Sequence, residues 1–445
     1  MICMRQSTLP KRKPERGPDF ADCQPPHASL TSLLQMNFPM SRARRWLRRS
    51  LLLLALLLGV IGARVTYALR DRNPGHQLIL NRDAHAAEAQ PRPLRVGLAR
   101  AKINPRLNDP EHPVWLAGFS QNRRATAIHD DLWAVACVID DGHTRLGVVA
   151  LDSIGVFHDD VLAIRAQLPP ELGLTYTIVC ATHNHSTPDL MGLWGPNAFR
   201  TGVDPDYRAQ VIATAAQTLT AAVAALTPAR LALHEVVVPP TGLLADTRLP
   251  LVFDSDLRVM HFTAAETGQT LGSIVTWGNH PETPWATNTE ITADFCGALR
   301  DALEHGVRPA GRPPIDGLGG IHCFINGAVG GLMTTHPSVS VRDPINGSDL
   351  KRPSHQKSRA VGQQLALRLL PLMHAAPQGT THTPIAIHAR TLELPVANRL
   401  MWLAPALGLL DRGQSRWGWV RTEIAVARVG DASIAQEIGD VRHRH

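Results

Sequence analysis

The 445-residue chain is long enough for one large α/β domain or two of ordinary size, and its 44% apolar content is that of a globular protein. The net charge of +7 is concentrated at the amino terminus: residues 1–92 hold 15 of the 45 basic and 6 of the 38 acidic side chains, leaving 30 basic and 32 acidic groups from residue 93 onward. So nearly neutral a remainder offers no basic face for nucleic acid, and six widely spaced cysteines make neither a disulfide framework nor a paired zinc motif.

Residues 1–39, polar and proline-rich, precede an alternative start at Met40 and read as an extension outside the fold. Arg42, Arg44, Arg45, Arg48 and Arg49 then lead into an apolar run, residues 51–63, that Arg64 interrupts. A basic flank before such a run matches an export signal, and the run is short for a membrane-spanning helix, which needs about 20 residues. Continuation through residues 65–69 makes an uncleaved signal anchor the alternative. In either form the basic flank places the rest of the chain outside the cytoplasm. Residues 40–69 are therefore expected to be a signal peptide or membrane anchor, 70–92 a linker, and 93–445 a folded catalytic domain.

The expected fold class is α/β, with mixed sheets, flanking helices and chemistry at strand ends. Strand character begins at Leu94, and residues 132–139 and 146–151 form a strand pair around the turn Asp140, Asp141, Gly142. A short helix over 159–167 precedes a strand at 176–181, and the spacing of Ala, Val, Ile and Leu predicts a long helix over 206–225. Strand-rich sequence runs from 231 to 263, then a strand at 271–277, a helix over 293–305, a strand at 321–325 and a helix over 359–374. Residues 422–435 read as one late strand.

The strand at 176–181 runs into His183 and His185, and the strand at 271–277 runs into Gly278, Asn279 and His280. In an extended chain residues i and i+2 face the same way, so the first pair would project together from a strand end. Two strands that both finish in histidine point to one metal site, because catalytic zinc takes about three protein ligands and leaves a position for water. A capping or core role competes for each histidine; His129 and His322 read as structural, and His158 as solvated. The glycine-rich segment 327–331 after a strand lacks a Walker lysine and a dinucleotide fingerprint, and reads as a tight turn that brings backbone amides towards a ligand. The Gly278, Asn279, His280 step is also similar to that of metallophosphoesterases, whose other motifs are missing.

Taken in order, these segments resemble the amino-terminal catalytic domain of neutral, non-lysosomal ceramidases and their bacterial relatives, over residues 94–440. The step from Ala181 to Pro188 is similar to the family's A-T-H-T-H-S-G-P, Asn279 to Asp294 to its His-Pro, N-T and S-A-D segment, and Asn326 to Thr334 to its N-x-x-x-G-D-V-S-P turn. Residues 128–133 and 245–257 match two further stretches. The resemblance implies zinc held by His185 and His280, with His183 beside them as a catalytic residue that either supports the ligands from behind or touches substrate, and Asp440 at the position of a glutamate ligand. Gly331 and Met333 stand where the family has aspartate and its catalytic serine, which leaves Thr334 and Thr335 as the nearest hydroxyls, with Thr334 expected in the catalytic set. A thioether cannot attack an amide, so a metal-activated water would be the nucleophile. Asn326, Gly330 and Gly331 would hold substrate or oxyanion. The family's tyrosine ligand and carboxy-terminal domain have no counterpart, and the domain reads as truncated. The resemblance thus implies a zinc-dependent hydrolase of a small lipid amide, anchored at or exported to a membrane surface. An inactive cell-envelope relative that binds a ligand is the rival, and a metallophosphoesterase the third reading.

Overall fold

The computed structural model describes residues 42–69, 92–107, 109, 111–329, 332–375, 379–395 and 419–436. The chain divides into a short unit, residues 1–63, and a large one, residues 64–445. The described part of the short unit belongs to helix α1, Arg42–Leu69. Arg64 does not end it, since a single arginine is a good helix former. Its apolar stretch Arg42–Thr66 has 25 residues, about 37 Å at the rise of an α-helix, so the span that reads as short in the sequence is long enough to cross a bilayer; a signal sequence meets the same description.

The large unit is built on eight strands: β1 Arg95–Lys102, β2 Trp133–Asp140, β3 Arg145–Leu151, β4 Tyr176–Ala181, β5 Thr227–Val237, β6 Asp256–Ala264, β7 Thr270–Trp277 and β8 Ile321–Asn326. They lie in the order β8-β7-β6-β5-β1-β2-β3-β4. The outer pairs β7/β8 and β3/β4 are parallel and the rest antiparallel. Only two residue pairs join β5 to β1, and the sheet creases there. Val135, Val148 and Ile178 from one half share a core with Phe262, Ile274 and Cys323 from the other.

Helices α2, His158–Ala166, and α3, Pro205–Ala224, cover the outside of β1–β4, with Val211, Ala215 and Leu219 against Val138 and Val149. Helices α4, Asp294–His305, and α5, His355–His374, cover β5–β8, with Leu299, Leu365 and Leu369 against Val259, Val275 and Phe324. The result is a helix, sheet, sheet, helix stack whose inner strands are apolar on both faces, as a doubly covered sheet requires. Each fully buried aliphatic or aromatic side chain contributes about 1.5–3 kcal/mol.

The α/β expectation holds, with differences at particular elements. Helix α5 begins four residues before position 359, because Ser354 caps it by accepting from the Lys357 N–H at 3.1 Å. The late strand is instead a hairpin: β10, Trp419–Val429, pairs with β9, Ile385–Pro395, and turns back through Gly430 at φ +59 into β11, Ala432–Gln436. His158, expected in solvent, is buried at the start of α2. His322 is structural as expected: Nε2–H donates to the Gly319 carbonyl and Nδ1 meets the Ser273 hydroxyl.

His261 on β6 and His322 on β8 flank Ser273 of β7 in register, forming a polar row across the helix-covered face. Burial, chiefly, pushes both imidazoles down from 6.5 to about 4. The unfolded chain therefore takes up protons that the folded one refuses between pH 6.5 and 4, so stability is full above about 6.5 and falls as the pH drops towards 4. We expect about 1–3 kcal/mol lost per histidine over that window. Urea unfolding at pH 7 and 4.5 checks this, and His261→Gln should flatten the acid limb; an equally steep limb in that variant would contradict the assignment.

Candidate metal site

The carboxyl ends of β4, β7 and β8 meet at one edge although β4 and β8 border opposite ends of the sheet order. Asn326, last residue of β8, joins them: its Nδ2 donates to the Thr182 carbonyl at 2.9 Å and to the Asn279 carbonyl at 2.8 Å, and its Oδ1 accepts from the Asn279 N–H at 3.2 Å. The His185 N–H donates to Pro281 O at 2.9 Å and closes the same seam. Both amide protons of Asn326 are thus engaged, so it braces the loops instead of offering the oxyanion donor expected of it. Gly327 is glycine because a Cβ there would sit 2.8 Å from the Gly278 nitrogen; the close approach expected of this turn is to the chain's own backbone. Gly330, Gly331 and Asp440 lie outside the described residues.

This seam brings His183, His185 and His280 together. Their ring centroids are 4.9–5.7 Å apart, and one nitrogen from each lies within 4.8 Å of the other two. His183 donates from Nδ1 to the Ile154 carbonyl at 2.8 Å, and His280 from Nδ1 to the Met333 carbonyl at 2.8 Å. The Nδ1 of His185 lies 3.0 Å from Oε2 of Glu282, out of line for a hydrogen bond, and both of its ring nitrogens are buried without a hydrogen-bond partner. With Nδ1 of His183 and His280 held by carbonyls, their Nε2 lone pairs remain, which is how a protein prepares imidazoles for a metal, and His185 adds an unpaired ring beside the Glu282 carboxylate. Tetrahedral zinc needs such nitrogens about 3.4 Å apart, within reach of small ring rotations.

The electrostatics agree with that donor set. Burial, reinforced by the neighbouring His185 and His280, pulls His183 down to about 4 against the opposing pull of the Ile154 carbonyl and Glu282. Burial also lowers His280. Both rings are neutral ligands near pH 7. Burial alone would raise Glu282, but contact with His185 outweighs it and keeps the carboxylate below its usual range.

Backbone strain gathers around the same point. Five described residues other than glycine have positive φ, and His183 (+66), Phe119 (+54) and Trp285 (+66) are among them. Bulky side chains in this region cost about 1–3 kcal/mol each and cluster at functional sites. The Phe119 ring stands edge-on to His185 at 5.4 Å and leans on Trp285 at 5.1 Å. Thr334, expected to be catalytic, bridges His280 through its backbone, and its hydroxyl is buried with no aligned partner beside Glu282. Met333 is buried and contributes its carbonyl only. Glu282 is the residue of this site that sequence reasoning misses; its place two residues after His280 is the available signal.

No protein-family model matches this chain, and no curated protein matches it. Among solved structures, the neutral ceramidase of Pseudomonas aeruginosa superposes with a TM-score of 0.59 at 18% identity, covering 77% of this chain and 62% of that one. A ceramidase complexed with C2 gives 0.57 at 18%, covering 77% and 63%. The chain thus spans less than two thirds of either structure, and at this identity the likeness establishes a ceramidase-like fold.

Because the Glu282 carboxylate stands 3.0 Å from Nδ1 of His185, Glu282→Ala should weaken binding of zinc, used as the probe ion, about 10- to 100-fold. Glu282→Gln, whose amide oxygen still accepts, should lose less. Competition titration with a zinc chelator measures both, and wild-type affinity in the alanine variant would rule out this orienting role.

Proposed function

We propose that the protein is a zinc-dependent amidohydrolase of the neutral ceramidase type, acting on an N-acylsphingosine or similar lipid amide. The observation that carries the proposal is the convergence of three imidazoles, two with Nδ1 bonded to a backbone carbonyl and the third with Nδ1 3.0 Å from the Glu282 carboxylate. His183 then serves as a third metal ligand beside His185 and His280, rather than as a substrate contact, and the trio completes a ligand set without Asp440. When bound, zinc supplies Lewis acidity that polarises a carbonyl and acidifies water. The chain's own residues do the rest. The Ile154 and Met333 carbonyls fix two tautomers, and the Glu282 carboxylate stands beside the third imidazole. Thr334 supplies the nearest hydroxyl, and with Met333 in the serine position no side-chain nucleophile is needed. Helix α1, as anchor or export signal, would bring the domain to the outer side of a membrane, where such a substrate resides.

Full-length protein purified in detergent should carry about one zinc per chain, which His183→Ala, His185→Ala and His280→Ala each remove. Turnover of a fluorescent N-acylsphingosine should fall at least about 100-fold in each variant and on chelation, and return with added zinc. Zinc retained in the His185→Ala/His280→Ala double variant sinks the metal assignment. Zinc bound without turnover of any amide favours the ligand-binding relative instead.

A further inference from the structure

Arg123 is a buried cation, 5% exposed, and among the described residues no carboxylate lies within ion-pair distance of it. A guanidinium out of water without a counter-charge is costly and persists only where its donors are engaged. Here both Nη groups are turned onto carbonyl oxygens, while Nε is buried without a partner. Nη1 donates to Ala117 O at 3.0 Å, Gly118 O at 3.2 Å and His185 O at 3.1 Å; Nη2 donates to Asn288 O at 3.0 Å. Three segments far apart in the chain end on one side chain.

Each segment presses on the metal site. Gly118 has φ +78, and a Cβ on it would stand 2.6 Å from Nδ1 of His185, so the imidazole rests directly on this backbone. The next residue, Phe119, has its strained φ and its ring between His185 and the Arg123 guanidinium, 5.1 Å from the latter. Asn288 closes the turn that carries strained Trp285, its N–H donating to Trp285 O at 3.1 Å, and its side chain reaches Ser186 Oγ at 3.1 Å. Left alone, the two bulky residues would relax to negative φ and release the His185 ring.

We infer that Arg123 is a positioning residue whose guanidinium locks the segments 117–119, 185 and 285–288 together, and so holds the His185 imidazole and the Phe119–Trp285 pair in the geometry that binds the metal. This rests on the metal reading proposed above for its affinity readout, and carries one that does not. A planar fork with five donors does this where a lysine, with a single ammonium point, cannot satisfy four carbonyls in different directions.

The test uses full-length Arg123→Lys, which keeps the charge and the aliphatic stem, with Arg123→Met as the second variant. Amide hydrogen exchange by mass spectrometry should show protection lost at residues 116–119, 184–187 and 285–289 and retained in β2, β7 and α5. Zinc affinity should fall at least about tenfold in the same samples. Unchanged exchange at the three segments overturns the proposal, as does protection lost uniformly across the domain, which is the mark of a merely structural arginine. Unchanged zinc affinity with locally altered exchange also overturns it. Should the wild type bind no zinc, the proposed function fails separately, and the exchange pattern alone still decides the role of Arg123.

Discussion

The side-chain amide of Asn326 is the point on which the site depends. The loops that carry His183 and His185 leave one half of the creased sheet, and the loop that carries His280 leaves the other. Their common neighbour is a residue with two donor hydrogens and one acceptor, all three in use across the seam. An aspartate there would lack both donors, and a leucine would leave two carbonyls and one N–H unpaired at a buried edge, each such loss costing about 1–3 kcal/mol. The crease makes the seam possible: with only two pairs joining β5 to β1, the halves can face each other and share one apolar core.

A second constraint is the strain stored beside that seam. The positive φ values at His183, Phe119 and Trp285 cannot be favoured by local sequence, since none is glycine or asparagine. They persist because the surroundings over-determine them: the Nδ1 bond of His183 to Ile154, the tilted ring contact of Phe119 with Trp285, and the carbonyl contacts of Arg123. The consequence is preorganisation. Rings that are already turned inward lose little further freedom when a ligand binds, so binding energy is not spent on arranging them.

Much of this is legible in the chain. Periodicity locates the strands and helices of the doubly covered sheet within a few residues, because those elements bury apolar stripes that repeat at 2.0 or 3.6 residues. The strand-terminal histidines are legible for the same reason, since a strand end is a local event. What escapes is non-local. Nothing near Glu282 in sequence says that it will meet His185, 97 positions away, and nothing around Arg123 announces four distant carbonyls. The extended-chain rule does bring His183 and His185 to one place, but the positive φ at His183 is set by its surroundings and is not readable from the strand pattern. The late hairpin reads as one strand when Gly430 and Asp431 are placed inside its apolar run, although a Gly-Asp pair is ordinary turn chemistry.

The histidines of this chain also separate by how their ring nitrogens are spent. His322 uses both, on Ser273 and Gly319, and has no lone pair left to offer. His261 uses Nε2 on Thr270 and keeps Nδ1 unpaired, but it faces a single further imidazole, His234, at 5.9 Å, and two donors do not complete a site. Only at the seam, among the described residues, do three imidazoles converge, each with at least one nitrogen unused. Burial depresses the proton affinity of His183, His261 and His322 alike, so neutrality by itself distinguishes nothing. This set is marked by the geometry of its unused lone pairs, which carbonyls on the far side of two rings fix while a carboxylate stands beside the third.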